Sequence, residues 1–320
     1  MDKEKTTSTF AQDVLDGLRA NPKYLSSKYF YDAKGSELFQ QIMRMPAYYL
    51  TDCEFEVFEN NRNDILEAFA PDGSPFRLVE FGAGDGLKTK VLLSHFLDQQ
   101  AAFTYTPIDI SGDALHNLHQ SLAHEWPELK VDPIEAEYFA ALQQLQKQSN
   151  ERKVVLFLGS NLGNFPLHNS VGFLQKLGNF LNPGDLLLIG LDLKKDPEVI
   201  LEAYNDKEGI TREFNLNLLR RMNRELGADF VIDQFMHWPT YNPMNGETRS
   251  FLISRQEQDV YFSELGERVH FRAWEAIWME LSQKYDRPLI KQLAEKSGFQ
   301  VVSEYTDSRG YFVDSLWEKR

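Results

Sequence analysis

Leu78-Val79-Glu80-Phe81 runs straight into Gly82-Ala83-Gly84-Asp85-Gly86, and Lys88, Val91, Leu92, Leu93 and Phe96 follow in a helical pattern. That order predicts a buried strand, a tight glycine turn and a helix start, and it constrains the fold more than any other stretch. Glycine suits the turn for two reasons: it tolerates φ > 0, and it puts no Cβ between the backbone and a ligand. The helix start then offers free N–H groups. The spacing Gly82-x-Gly84-x-Gly86 departs from the G-x-G-x-x-G dinucleotide fingerprint. Taken alone, these residues fit either a plain strand-to-helix turn or a ligand cradle.

The next strand favours the cradle. Phe103-Thr104-Tyr105-Thr106-Pro107-Ile108-Asp109 ends in an acid. A carboxylate at the end of the second strand can accept two hydrogen bonds from a ribose diol. E-x-G-x-G followed by such an aspartate resembles the nucleoside site of class I S-adenosylmethionine-dependent methyltransferases.

Bulk properties narrow the partners. With 320 residues and 42% hydrophobic content the chain can bury a large core in one or two domains. A net charge of -14 argues against nucleic acid or an anionic membrane as partner. Arg220, Arg221 and Arg224 read as a solvated helix face. The single cysteine, Cys53, has no internal partner for a disulfide and fits a reducing cytoplasm. The first nine residues are polar and charged, without a signal-peptide pattern. No apolar run approaches the ~20 residues of a membrane span. The seven histidines lack H-x-x-x-H spacing, so no metal is expected.

Residues 10–20 have helical spacing, ended by Pro22. Residues 29–49 are dense in rings, including Tyr29, Phe30, Tyr31, Phe39, Tyr48 and Tyr49; these suit either a packed layer or a ligand wall. Cys53–Phe69 reads as an amphipathic helix. After the two strands described above, Ser111 is placed to cap a helix, and Leu129–Ile134 reads as a short third strand. Glu137-Tyr138 follows it, either as an adenine contact or as a surface acid beside a core ring. Residues 153–159 form the most apolar strand, hence a central one. It opens into Ser160-Asn161-Leu162-Gly163-Asn164, at the end where open α/β sheets bind ligands. Residues 186–192 form another buried strand. The alternation implies a parallel, doubly covered sheet. Residues 194–227 read as helices and 228–271 as strands, too long an insert for a loop. Residues 288–298 read as a helix, with a closing strand pair at 299–306 and 311–316. The expected fold is α/β: a class I, Rossmann-like methyltransferase sheet with a second, smaller α+β substrate domain. The first domain comprises 53–193 plus 286–320, and the second 1–52 plus 194–285.

Several motifs outside the generic nucleotide fold carry a closer resemblance. They are Lys28-Tyr29-Phe30-Tyr31-Asp32, Met45-Pro46-Ala47-Tyr48-Tyr49-Leu50-Thr51, Phe157 to Asn164, Asn182-Pro183-Gly184-Asp185, and Tyr204-Asn205-Asp206 with Gly209-Ile210-Thr211. In this order, over nearly the whole chain, they resemble the histidine-specific Nα-methyltransferase family, which makes the histidine trimethylbetaine used in ergothioneine biosynthesis. The resemblance implies S-adenosylmethionine as methyl donor, held by Tyr31, Gly82, Lys88 and Asp109, with Glu137 and Tyr138 near the adenine. For the amino-acid substrate it implies Asn164 and Tyr204 at the carboxylate and amino end. Phe39, Tyr48, Gly159 and Thr211 would line the walls, and Glu280 with Ser282 would bind the imidazole. Tyr31 and Tyr48 would stand nearest the transfer.

Two positions depart from the family. Glu137-Tyr138 replaces Asp-Phe. Ser250 takes the place of a pocket methionine, or Phe251 does if the register slips by one. Ser250 would admit a ring-modified histidine or an indole amino acid, whereas Glu280 and Ser282 favour imidazole. A cofactor-binding partner without catalysis is the alternative from another class. The resemblance implies no metal, and a monomer is expected.

Overall fold

The computed structural model describes residues 3–148 and 151–320. The chain divides into two compact units, residues 1–49 with 195–282 and residues 50–194 with 283–320. It begins in the first with α1 (Lys3–Arg19), β1 (Lys23–Tyr24) and α2 (Ala33–Met43). The second unit carries α3 (Tyr49–Phe69), β2 (Phe76–Phe81), α4 (Thr89–Asp98), β3 (Phe103–Asp109), α5 (Gly112–Glu125) and β4 (Ile134–Glu135). It continues through α6 (Tyr138–Gln148), β5 (Arg152–Phe157), α7 (Leu167–Gly178) and β6 (Leu186–Asp192). Next come α8 (Pro197–Tyr204), α9 (Ile210–Leu226), β7 (Phe235–Asn242), β8 (Glu247–Ser254), β9 (Gln258–Phe262), β10 (Glu267–Phe271) and β11 (Ala276–Gln283). Finally α10 (Arg287–Lys296), β12 (Phe299–Thr306) and β13 (Phe312–Lys319) return to the second unit.

The second unit is a seven-stranded sheet in the order β12-β13-β6-β5-β2-β3-β4. Period-2 alternation explains why both faces are covered. Val79, Phe81, Val155, Phe157, Leu187 and Ile189 point to one layer, where they meet Leu142, Leu174, Ile290 and Leu293. Leu78, Val154, Leu156 and Leu188 point to the other, against Val57, Phe58, Leu92 and Leu118. Strand β5 lies at the centre, as its unbroken apolar run predicts. The strand order reverses between β2 and β5, because the chain builds outward to β4 before crossing back. In open α/β sheets a ligand binds beyond the carboxyl ends of the strands at such a switch point. Gly82 and Gly159 follow the ends of those two strands.

Three details differ from the sequence expectation. The sheet is mixed: β13 pairs antiparallel with both β6 and β12. The third strand shrinks to Ile134–Glu135, with Val131 making only an isolated bridge to Tyr105. Pro133 accounts for this, since it has no N–H to give a ladder. Helix α3 starts at Tyr49, four residues before the expected Cys53. Ser111 caps α5 as expected, its hydroxyl accepting from Ala114 N at 3.2 Å.

The first unit holds a four-stranded sheet in the order β1-β11-β8-β7 and a separate β9/β10 pair. Phe10, Val14 and Leu18 of α1 share one core with Leu38, Phe214, Leu218, Leu252, Ile277 and Met279. Strand β8 alternates strictly: Thr248, Ser250, Leu252 and Ser254 are buried, and the residues between them are half-buried.

Candidate functional site

The candidate residues fall into two groups, one in each unit. In the second unit the glycine turn is built on backbone bonds. Gly82 N donates to Ile108 O at 2.8 Å, and Gly86 N donates to Ala83 O at 2.9 Å. All three glycines have φ between 54° and 66°, a region other residues rarely enter. Their surroundings separate their roles. A Cβ on Gly84 would meet nothing within 4 Å, and one on Gly82 would meet only the Tyr138 hydroxyl at 3.2 Å. A Cβ on Gly86 would strike Leu118 Cδ1 at 2.8 Å. Gly82 and Gly84 thus leave an open cradle, while Gly86 lets α5 pack.

Asp109 ends β3 beside that cradle. One carboxylate oxygen accepts from Ser111 N at 3.0 Å, and the other has only a long 3.4 Å contact from Gly84 N. The Tyr138 ring stacks on Phe81 with centroids 4.5 Å apart and planes 7° apart. Burial, then the Asp109 charge, raises the Tyr138 phenol above its ordinary pKa. Glu137, next to it, is exposed. Open glycines, an aromatic ring and an under-used carboxylate acceptor fit the adenosine of the S-adenosylmethionine that the sequence implies.

Glu80, the acid of the E-x-G-x-G pattern, has another job. It is buried and accepts hydrogen bonds from the Thr89 and Tyr105 hydroxyls. It ties the turn to α4 and β3. Burial, only partly offset by those bonds, pushes its pKa from 4.5 up to about 7. A carboxyl raised in the folded state stabilises fully below its unfolded pKa, and that contribution is lost as pH climbs through the folded value. The window is about 4.5 to 7. Denaturant unfolding at pH 5 and pH 8 should show wild type losing about 3 kcal/mol relative to Glu80→Gln over that interval. Parallel stabilities at both pH values would remove this account.

Lys88 lies at the N-terminus of α4, with its ammonium paired to the fully buried Glu54. Glu54 also accepts from Gly159 N at 2.7 Å. No sequence signal marked Glu54, which sits in an ordinary amphipathic helix far from the glycine turn. Asn164 ends a short 3₁₀ turn after β5 with its side chain exposed.

In the first unit an aromatic group forms. The Tyr31 and Phe39 rings meet edge-on at 5.4 Å, and Phe39 and Tyr48 at 6.5 Å. Phe214, which the sequence reading missed, contacts both Tyr31 and Phe39. Tyr31 remains 48% exposed, so it presents a face to ligand or solvent. Thr211 is buried at the start of α9, where its amide and that of Ile210 donate to Asp206 at 2.9 and 2.7 Å. The Tyr204 hydroxyl donates to Ser282 Oγ at 2.8 Å. Glu280, two residues earlier on β11, is half-buried.

Ser250 is not brought together with Glu280. Arg249 lies over the Trp278 ring at 5.6 Å, so these residues of neighbouring strands share a face. Alternation then puts Phe251 and Glu280 on that face and Ser250 on the opposite one, with Ile277 and Met279. The Ser250 hydroxyl instead meets His237 Nε2 at 3.3 Å. Burial pulls the His237 pKa down to about 4. Among the described residues no group of three or more His, Cys, Asp or Glu side chains could hold a metal ion. No described helix is long and apolar enough to cross a membrane.

A profile described as histidine-specific methyltransferase, SAM-dependent, matches residues 10–319. The chain is 35% identical over 315 residues to a histidine N-alpha-methyltransferase of Mycolicibacterium smegmatis, covering 98% of this chain and 96% of that one. It is 32% identical over 308 residues to the histidine N-alpha-methyltransferase of Mycobacterium tuberculosis, covering 96% and 94%. It is 29% identical over 306 residues to ergothioneine biosynthesis protein 1 of Neurospora crassa, covering 93% of this chain and 34% of that one.

Proposed function

Because the chain belongs to the histidine-specific, S-adenosylmethionine-dependent methyltransferase family, we propose that it methylates the α-amino group of L-histidine, up to the trimethylated betaine. The observation that carries this reading is the near full-length similarity to two histidine N-alpha-methyltransferases. When bound, the donor supplies a methyl group already activated on a sulfonium. The chain's own task is to hold, align and desolvate.

In this reading Gly82 and Gly84 admit the adenosine, Asp109 accepts from the ribose diol, and Glu137 with Tyr138 borders the adenine. Lys88 completes the donor contacts. Asn164 and Tyr204 hold the carboxylate and amino end of the amino acid. Phe39, Gly159 and Thr211 form its walls. Tyr31 and Tyr48 supply ring faces and hydroxyl dipoles to the dispersed positive charge of the transition state.

The Tyr204–Ser282 bond supports imidazole recognition. Tyr204 donates to Ser282 Oγ and so holds that hydroxyl in place two residues along β11 from Glu280. An imidazole has one nitrogen that accepts and one that donates, so Ser282 and Glu280 would match both. An indole has no acceptor nitrogen and would leave Ser282 unmatched. A ring-substituted histidine would need Ser250 beside this pair, and strand alternation does not put it there. The enzyme works in this reading as a cytoplasmic monomer.

Turnover of a panel of free amino acids, with product mass counting the methyl groups added, tests the proposal. Histidine should give the highest kcat/KM and a trimethylated end product. Faster turnover of tryptophan or of a ring-substituted histidine would overturn it.

A further inference from the structure

The second unit buries two carboxyl groups side by side behind Lys88. Glu54 is fully buried on α3, and Asp314 is fully buried on β13. Asp314 stands directly opposite Gly190 across the β13/β6 ladder, so both face the same side of the sheet. Gly190 is needed there: a Cβ at that position would collide with Glu54 Oε1. A glycine inside a buried strand is otherwise unfavourable, since it weakens packing. It makes room for the Glu54 carboxylate.

The Glu54 carboxylate divides its two oxygens. Oε1 accepts from Gly159 N at 2.7 Å, and Oε2 takes the Lys88 ammonium. Neither oxygen of Asp314 has a hydrogen-bond partner. Burial and the adjacent Glu54 hold the Asp314 carboxyl well above the usual carboxylate range, which favours its neutral form. The Glu54–Lys88 pair is the ion pair that the geometry shows. A buried ion pair needs a balance of charge, because an unpaired second charge is strongly unfavourable.

The pair also fixes a donor set. A Cβ built on Gly159 would lie 3.5 Å from Lys88 Nζ and 3.6 Å from Asn161 Nδ2. The ammonium and the Asn161 amide thus gather over Gly159, whose own N–H is given to Glu54, at the carboxyl end of β5, next to the switch point. Lys88 has three N–H donors and gives one to Glu54, which leaves others to donate outward. Of the charged groups on the methyl donor, only its aminoacyl carboxylate complements an ammonium. The adenosine and the sulfonium do not.

We propose that Glu54 is a positioning residue that aims the Lys88 ammonium at the aminoacyl carboxylate of the methyl donor. Asp314 is its buried neighbour. This rests on the donor being S-adenosylmethionine, as the family implies.

Two ligands separate a positioning role from a structural one. S-adenosylhomocysteine carries the aminoacyl group, and 5′-methylthioadenosine lacks it. Calorimetry on the full chain should show that Glu54→Gln weakens S-adenosylhomocysteine by about 10- to 100-fold, since a charge-assisted contact is lost. The affinity for 5′-methylthioadenosine should change by less than about twofold, because its contacts lie elsewhere. Lys88→Met should collapse the ratio of the two affinities in the same way, and it serves as the second route if Glu54→Gln folds poorly. Equal weakening of both ligands, or an unchanged ratio with only a lower Tm, would overturn the proposal. Failure of wild type to bind S-adenosylhomocysteine at all would instead overturn the donor assignment, and this inference with it.

Discussion

Replacing Asp109 by alanine should weaken S-adenosylhomocysteine binding by about a hundredfold, the largest effect expected from any single change in the second unit. The carboxylate is half-buried at the end of β3, with one oxygen engaged by Ser111 N and the other only weakly by Gly84 N. It can therefore take both hydroxyls of a ribose. Hydrogen bonds to a charged group contribute about 1.5–3 kcal/mol each, and alanine removes them together. Asp109→Asn should lose less, because one acceptor oxygen remains. Titration calorimetry reads both variants. An alanine variant that binds as tightly as wild type would place the ribose elsewhere. The adenine side would then also need revision, since Tyr138 lies near both Gly82 and Asp109.

Glu280→Ala should reduce kcat/KM for histidine by about 10- to 100-fold, the cost of one charge-assisted hydrogen bond in a partly desolvated site. Tryptophan turnover should change far less or improve, because an indole has one N–H donor, no acceptor nitrogen, and leaves Ser282 unmatched. The histidine-to-tryptophan ratio is thus the sharper readout. An unaltered ratio would show that Glu280 does not read the ring, whatever happens to the rate. Its neighbour is already committed: Ser282 is buried and held by Tyr204. Glu280 is half-buried on the same strand.

The central sheet was readable from residues 78–96 and 153–159, because buried strands and helix starts leave local patterns. The glycine turn was also readable, but the division of labour within it was not. Gly82 and Gly84 are open, whereas Gly86 abuts Leu118 of α5, and no local rule distinguishes them. Glu80 reads in sequence as part of a ligand motif. In the structure it is a buried tie between Thr89 and Tyr105. Ser250 shows the same limit in a strand: its face follows from pairing with β11, and a register shift of one residue would reverse it.

By itself the sequence determined the fold class, the family and the methyl donor. Those depend on hydrophobic period, glycine spacing and motifs, all of which lie within a few residues of one another. Only the tertiary structure decided how the charges are arranged behind Lys88. Glu54, Lys88, Gly159, Gly190 and Asp314 come from five separate segments, and a buried carboxylate acquires its role from what lies across the fold from it. A sequence records the glycine at 190. Why a Cβ is forbidden there is visible only once Glu54 occupies that space.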